Sequence, residues 1–519
     1  MRWVKRCADL IRLNVNNVAV SRLKFLFFIP QVFYLRSFFI EKHRRLWYNL
    51  SVLFCEVVMK SKLIGNRAFY RMALSLAVPI MIQTGITNFV NMLDNLMVGS
   101  VGTEAITGVS VANQLIFVFN LSIYGAVTGI GIYTAQYFGK SDGQGVIYTF
   151  RFKFAVCMLL TLIFGAIMLT NGDFVLGLYL RGEGSADSAR LSGEIAFDYI
   201  KIICIGIIPY AVSQCYGSTL RETGRPKVPM YAGIVAVLVN LALNYALIFG
   251  HFGLPRLGTK GAAIATVVSR FVELIYVSAA VHIGKKSGLL KGVFKGLYIP
   301  LWLVARMSKK SAPLLLNELL WSTGIAFVNQ CYSVRGLAVV AADNIVLAFF
   351  DLFSVVFFSV GISIGIIVGH LLGADKREEA VDTAGKLRAF SVFTAFAVAL
   401  VFIGLSFVVP NLYNTTNEVR YLAKWMMIIM AFAMPVDAFA QASYFTLRSG
   451  GKVLITMIFD SFFVWAVSVP FAFVISRYTA LPILPFFALS LSLNILKCVL
   501  GYFYVKKGSW VKNIVGEKE

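Results

Sequence analysis

Charge is scarce in this chain. Of its 519 residues only 14% are Asp, Glu, Lys or Arg, whereas 58% are hydrophobic. A soluble fold of this size needs about a quarter of its residues charged, so a water-exposed globular protein is excluded. Histidine is nearly missing, with four residues dispersed along the chain, and no metal-ligand spacing results. The seven cysteines (Cys7, Cys55, Cys157, Cys204, Cys215, Cys331 and Cys498) form no C-x-x-C pair, which removes a disulfide framework and a zinc site alike. There is no H-E-x-x-H and no phosphate-cradling G-x-x-x-x-G-K-[ST]. The chain is therefore not expected to be an enzyme, a metal or organic cofactor is not called for, and any work it does must draw on an ion gradient or a partner.

What is present is apolar length. Mean hydropathy is +0.77, and runs of roughly 20 apolar residues recur, the length that a bilayer core of about 30 Å asks of a helix. The runs are continuous rather than alternating, so the spans are helices and not barrel strands. They fall near 73–99, 106–138, 152–170, 195–216, 228–249 and 261–283, then near 312–334, 344–372, 386–409, 421–446, 453–476 and 482–505. The sequence thus predicts an all-α integral membrane protein with a first lobe over 59–283, a basic connector over 284–311, a second lobe over 312–507 and a tail over 508–519.

The formal net charge of +23 does not imply a nucleic-acid partner, because the bases lie in short loops between spans, where they set orientation. One set of alternate loops holds Lys140, Arg151, Lys153, Arg221, Arg225, Lys227, Lys376, Arg377, Lys506 and Lys507. The opposite set includes the acidic 171–195 loop with Asp173, Glu183, Asp187 and Glu194. Positive-inside bias puts both termini and the connector in the cytoplasm of a multi-pass inner-membrane protein. The first 58 residues are basic and interleaved with Phe25, Phe27, Phe28, Phe33, Phe38 and Phe39. They read either as a membrane-lying segment or as sequence upstream of a true start at Met59, and not as a signal peptide.

The chain repeats itself. A shift of 234 residues carries Pro79 onto Pro313, Asn95 onto Asn329, Gly102 onto Gly336, Gly131 onto Gly365 and Gly139 onto Gly373. A shift of 227 carries Thr219-Leu220-Arg221 onto Thr446-Leu447-Arg448 and Gly224 onto Gly451. Six spans is an even number, so the two repeats enter the membrane from the same side and are parallel. Pro79 with Pro313, and Pro209 with Pro435, are expected kink points.

The stretch VPIMIQTGITNFVNMLDNLMVGSVGTEAITGVSVANQ (78–114), then GIGIYTAQYFGKSD (129–142), resembles the first two helices of the multidrug and toxic compound extrusion (MATE) family. TLRETGRPK and TLRSGGK look like its signature after the fourth and tenth helices, and APLLLNELLWSTG like the opening of the seventh in bacterial members. The resemblance covers about 65–507. It implies a V-shaped bundle of two lobes and export of organic cations, drugs or metabolites in exchange for protons or sodium by alternating access. The alternative within the superfamily is a lipid-linked saccharide flippase. That function asks for a basic cavity, whereas acids rather than arginines lie within the spans, apart from Arg270.

A carboxylate at the bilayer centre costs about 2.5–3.5 kcal/mol on insertion scales, so each one asks for a reason. Asp94 is where the resemblance places the first-helix acid; Asn91 shares its face, and the pair could ligate Na⁺. Asp437 stands 11 residues before Arg448, as the resemblance expects of the tenth-helix acid, and Glu318 resembles the seventh-helix glutamate. These three are the expected coupling residues. Asp351 and Asp460 are weaker acidic candidates, and Glu273 is expected to pair with Arg270 on its own helix. Gln83, Asn113, Gln136, Gln214, Asn317, Trp321, Asn329 and Gln441 are expected to line a cavity for a small, cationic, amphipathic molecule. Partners beyond that cargo and the bilayer are not implied, and a monomer is expected.

Overall fold

The computed structural model describes residues 63–180, 186–283 and 288–516, and the chain from Ile64 onward makes one compact unit. The extension 1–58 lies outside the described residues. Twelve helices are long and apolar enough to cross a bilayer. The first lobe holds α1 (Arg67–Gly99), α2 (Thr103–Gly139), α3 (Gly143–Leu180), α4 (Ala186–Glu222), α5 (Lys227–Phe249) and α6 (Thr259–His282). The second holds α7 (Leu301–Ser333), α8 (Leu337–Gly373), α9 (Arg377–Leu405), α10 (Asn417–Ser449), α11 (Val453–Tyr478) and α12 (Ile483–Lys506).

The count and order match the twelve apolar windows; the differences lie at polar ends. Helix α7 begins at Leu301, so the basic stretch 301–311 is helix rather than connector. Its 33 residues run about 50 Å at 1.5 Å per residue, well beyond a hydrocarbon core of about 30 Å. Lys153, expected in a loop, sits inside α3 and is fully buried.

Turn chemistry obeys the repeat. Gly224 and Gly451 adopt φ of +74° and +72° just past α4 and α10. Behind them Arg225 N donates to Leu220 O (2.7 Å) and Lys452 N to Leu447 O (3.3 Å). Those bonds close a C-terminal cap in which a left-handed residue satisfies helix-end carbonyls, and glycine adopts that conformation without cost. The T-L-R-x-x-G repeat is therefore a helix-stop signal written twice. Ser141 and Asp375, also 234 apart, end α2 and α8 with φ of 63° and 57°.

Within the first lobe α2 packs on α3 and α4, α6 on α4 and α5, and α5 on α1. Within the second, α8, α9 and α10 pack mutually, α12 lies on α10, and α7 runs along α11. The lobes meet where α2 lies against α7 and α8, and α1 against α8. Small residues permit that approach: Gly129 faces Ser311, Gly125 faces Leu315 and Glu318, Gly139 faces the His370 carbonyl, and Gly373 faces that of Gln136.

At the end of the bundle that holds the connector, the chain after α12 crosses this seam as a strap. Trp510 is 1% exposed, and its indole donates to Val505 O at 2.9 Å. Gln136 of α2 is fully buried beneath the strap. Its amide nitrogen donates to Ser449 O (2.9 Å) and Lys512 O (3.2 Å), and its oxygen accepts from Ile514 N (2.8 Å). Asn513 reaches Gly373 O of α8 at 3.3 Å, and Lys140 reaches Val515 O at 3.3 Å. A crevice of about 680 Å³ beside the strap is rimmed by Lys140, Arg377 and Lys512.

The first lobe also seals an ion pair near this end. Lys153 Nζ lies 2.5 Å from Glu222 Oε2 and also donates to Ser218 Oγ (2.8 Å) and Thr219 Oγ1 (3.2 Å). Three oxygen acceptors satisfy the ammonium's three protons, the condition under which a buried lysine stays charged. The Glu222 carbonyl is engaged by His370 of α8 at 2.6 Å, tying this cluster to the other lobe.

Candidate functional site: one amide-bound carboxylate in each lobe

Asp94 lies in the last two turns of α1 and is half-buried. Its Oδ1 accepts from Asn244 Nδ2 of α5 at 2.6 Å. Asn240, one turn earlier on α5, brings its amide to 3.1 and 3.2 Å from the two Asp94 oxygens when oriented to donate. Asn244 is 1% exposed, and its Oδ1 is buried without a hydrogen-bond partner. An isolated buried amide oxygen costs free energy unless something pairs with it. A carboxylate beside a spare amide oxygen offers oxygen donors of the kind hard cations take.

The Asp94 carboxylate opens into a cavity of about 290 Å³ between α1, α2, α4 and α6. Asn91 and Asn113 line it, as do Asn95, Asn120, Tyr199 and Tyr210. Arg270 also lines it, but its guanidinium is held 3.4 Å from Glu273 Oε2 and lies 4.7 Å over the Tyr210 ring. The Arg270–Glu273 pair is thus as the sequence predicts.

The second lobe repeats the logic with different parts. Asp437, two residues after Pro435 in α10, accepts from Asn494 Nδ2 of α12 at 2.8 Å. One turn further along α12, Lys497 Nζ lies 3.2 Å from Asp460 Oδ1, and the other Asp460 oxygen accepts from Asn317 Nδ2 at 3.3 Å. Asp460 sits in a π-helical turn of α11, Ile458–Phe462. Such turns insert an extra residue per winding and are frequent at functional sites.

Glu318 stands at the lobe seam instead. It accepts from the Tyr444 hydroxyl at 3.5 Å and packs beside Gly125 of α2, with the Arg448 guanidinium 5.8 Å over the Tyr444 ring.

Several expected cavity residues lie elsewhere. Gln136 is committed to the strap, and Asn317 is fully buried, bonded to Ser461 Oγ (2.7 Å) and to Asp460. Both belong to the packed interior because every polar atom of these amides finds a protein partner. Gln83 accepts from Arg221 at 3.3 Å within the first lobe. Trp321 packs against the apolar core of the second lobe and does not line the 290 Å³ cavity; neither do Gln214, Asn329 and Gln441. Asp351 is exposed, and its backbone carbonyl accepts from Asn88 of α1 at 3.3 Å, across the seam.

Sequence reasoning missed Asn240, Asn244, Asn494 and Lys497. The signal was available: Asn240 and Asn244 are one turn apart in an otherwise apolar span, and Asn494 and Lys497 are three apart in another.

Twelve spanning helices in two parallel repeats, with carboxylates turned inward in each, define a two-lobed membrane transporter. Residues 79–246 and 313–474 match the family described as MatE. The chain belongs to the MATE family, whose members are multi-pass membrane transporters and not enzymes. Among curated relatives it is 23% identical over 454 residues to a probable multidrug resistance protein NorM of Thermotoga maritima, covering 86% of this chain and 94% of that one. It is 27% identical over 421 residues to a probable multidrug resistance protein YoeA of Bacillus subtilis, covering 78% and 87%. Its fold is that of a MATE protein crystallised in complex with MaL6, at a TM-score of 0.77 and 17% identity over 87% of this chain and 98% of the other.

Proposed function

We propose that the protein is a secondary antiporter that exports small, cationic, amphipathic molecules, drugs or metabolites, in exchange for protons or sodium. Support comes from relatives named for multidrug resistance and above all from Asp94. Its carboxylate meets amide groups of Asn244 and Asn240 beside the 290 Å³ cavity, the arrangement of a group that takes up and releases a small cation. Asp437, held by Asn494, is the matching exchange group of the second lobe. Glu318 works at the seam, where its charge state changes how α7 meets α2. Cargo and ion compete for the same negative charge, and the lobes rock to present it to either side. Bases in the alternate loops favour an inner-membrane setting with both ends of the described chain in the cytoplasm. A monomer suffices, because both exchange groups belong to one chain.

The test is efflux of ethidium, an organic cation, from proteoliposomes under proton or sodium gradients imposed separately. Gradient-driven efflux is expected for the natural chain and is expected to fall in Asp94→Asn. Efflux that persists undiminished in an Asp94→Asn, Asp437→Asn double variant removes the proposed mechanism.

A further inference from the structure

The repeat that aligns Thr219 with Thr446 has a second consequence. The same offset of 227 carries Arg270 of α6 onto Lys497 of α12. Each lobe therefore brings one basic side chain into its carboxylate-bearing interior from the same place in the fold. In both, that base is committed to a second acid rather than to the amide-bound one. Arg270 takes Glu273 at 3.4 Å, and Lys497 takes Asp460 at 3.2 Å. The pairs are withdrawn from water, with side chains 31% and 8% exposed in the first lobe and 10% and 17% in the second.

A carboxylate in such a place needs a positive charge close by, either drawn from solution or carried by the protein. A tethered base is held beside its acid by the fold and cannot be released, whereas a dissolved ion can. Asp460 and Glu273 are thereby satisfied internally. Asp94 and Asp437, bonded by Asn244 and Asn494, are left to exchange.

We propose that Arg270 and Lys497 are repeat-equivalent tethered counter-cations that fix the number of exchangeable monovalent cations at one per lobe, and so set the ion-to-cargo ratio. The proposal rests on the assignment of exchange to Asp94 and Asp437, and it makes Lys497 a positioning residue for ion number rather than a ligand of cargo.

The experiment counts cations on the full chain in lipid nanodiscs, with ²²Na⁺ as one probe and proton uptake on lowering the pH as the other. Each variant is compared with the natural chain and checked by thermal melting. Asp460→Asn and Glu273→Gln are expected to leave the count unchanged, because those acids already have their cation. Lys497→Met is expected to raise it by one, Lys497→Arg to leave it unchanged, and Lys497→Met with Asp460→Asn to return it to the natural value. A fall of one in Asp460→Asn or Glu273→Gln overturns the proposal. So does a folded Lys497→Met with no added cation. Should Lys497→Met not fold, the two acid variants decide the matter on their own. Asp94→Asn and Asp437→Asn should each lower the count by one, and their failure to do so overturns the exchange assignment and with it the proposal, whereas a failure confined to the Asp460 or Glu273 arm overturns the tether alone.

Discussion

The two lobes solve one problem with different geometry. In the first, the tethered base and its acid are neighbours on a single helix, three residues apart on α6. In the second, the base comes from α12 and the acid from a π-helical turn of α11. Towards the connector the contrast sharpens. The first lobe buries the Lys153–Glu222 pair, whereas the repeat offsets take those positions to Leu387 and Ser449, both buried in the second lobe. An ion pair in one lobe is thus replaced by an aliphatic and a hydroxyl in the other, within the same backbone. Duplicated backbones tolerate such swaps because a satisfied buried pair and well-packed apolar groups are close in free energy, while a half-removed pair is not.

The largest effect should come from halving that pair. Lys153→Ala is expected to cost about 3–5 kcal/mol, since it strands Glu222 without a cation. Lys153→Leu with Glu222→Ser, which copies the second lobe, should recover most of the loss in a thermal melt. A double variant as damaged as the single one would break the comparison.

Next come the exchange acids. Asp94→Asn and Asp437→Asn should each lower gradient-driven efflux by about 5- to 150-fold, the span of a 1–3 kcal/mol coupling free energy. A loss in only one of them would show that the lobes have diverged in chemistry as well as in geometry.

The helix-stop glycines give a smaller and more graded result. Gly224→Ala and Gly451→Ala each force an L-residue into the left-handed region, at about 1–2 kcal/mol. A methyl at Gly451 would also come 3.2 Å from Ile514 of the strap, while Gly224 faces open space. The second-lobe variant should therefore melt lower, and equal melting points would argue against the strap's packing.

Smallest of all is Glu194→Gln. Its partner Arg190 is 78% exposed, and an exposed pair of this kind contributes about 0–1 kcal/mol.

Much of this was legible in sequence because the bilayer imposes a simple rule: about 20 apolar residues per span. Twelve windows became twelve helices, and the offsets of 234 and 227 proved to be repeated turns, with Gly224 and Gly451 in matching backbone conformations. The Arg270–Glu273 pair was readable because helical spacing alone brings i and i+3 together. The Lys497–Asp460 contact was not, because it joins two helices through a local change of winding that no spacing rule anticipates. Gln136 shows the same limit from the other side. A polar residue in an apolar span suggests a cavity, yet its partners lie some 376 and 378 residues further along the chain. Hydropathy locates a helix in the membrane but is silent on which neighbour a given face will meet.

Those distant partners bear on how the molecule can move. Any tilt that parts α2 from α8 at the connector end must first unzip residues 510–516, since they clasp Gln136 on one side and Gly373 on the other. Residues 510–516 thus act as a clasp across the seam between the lobes. A cut after Lys507 would remove that clasp while leaving all twelve helices whole.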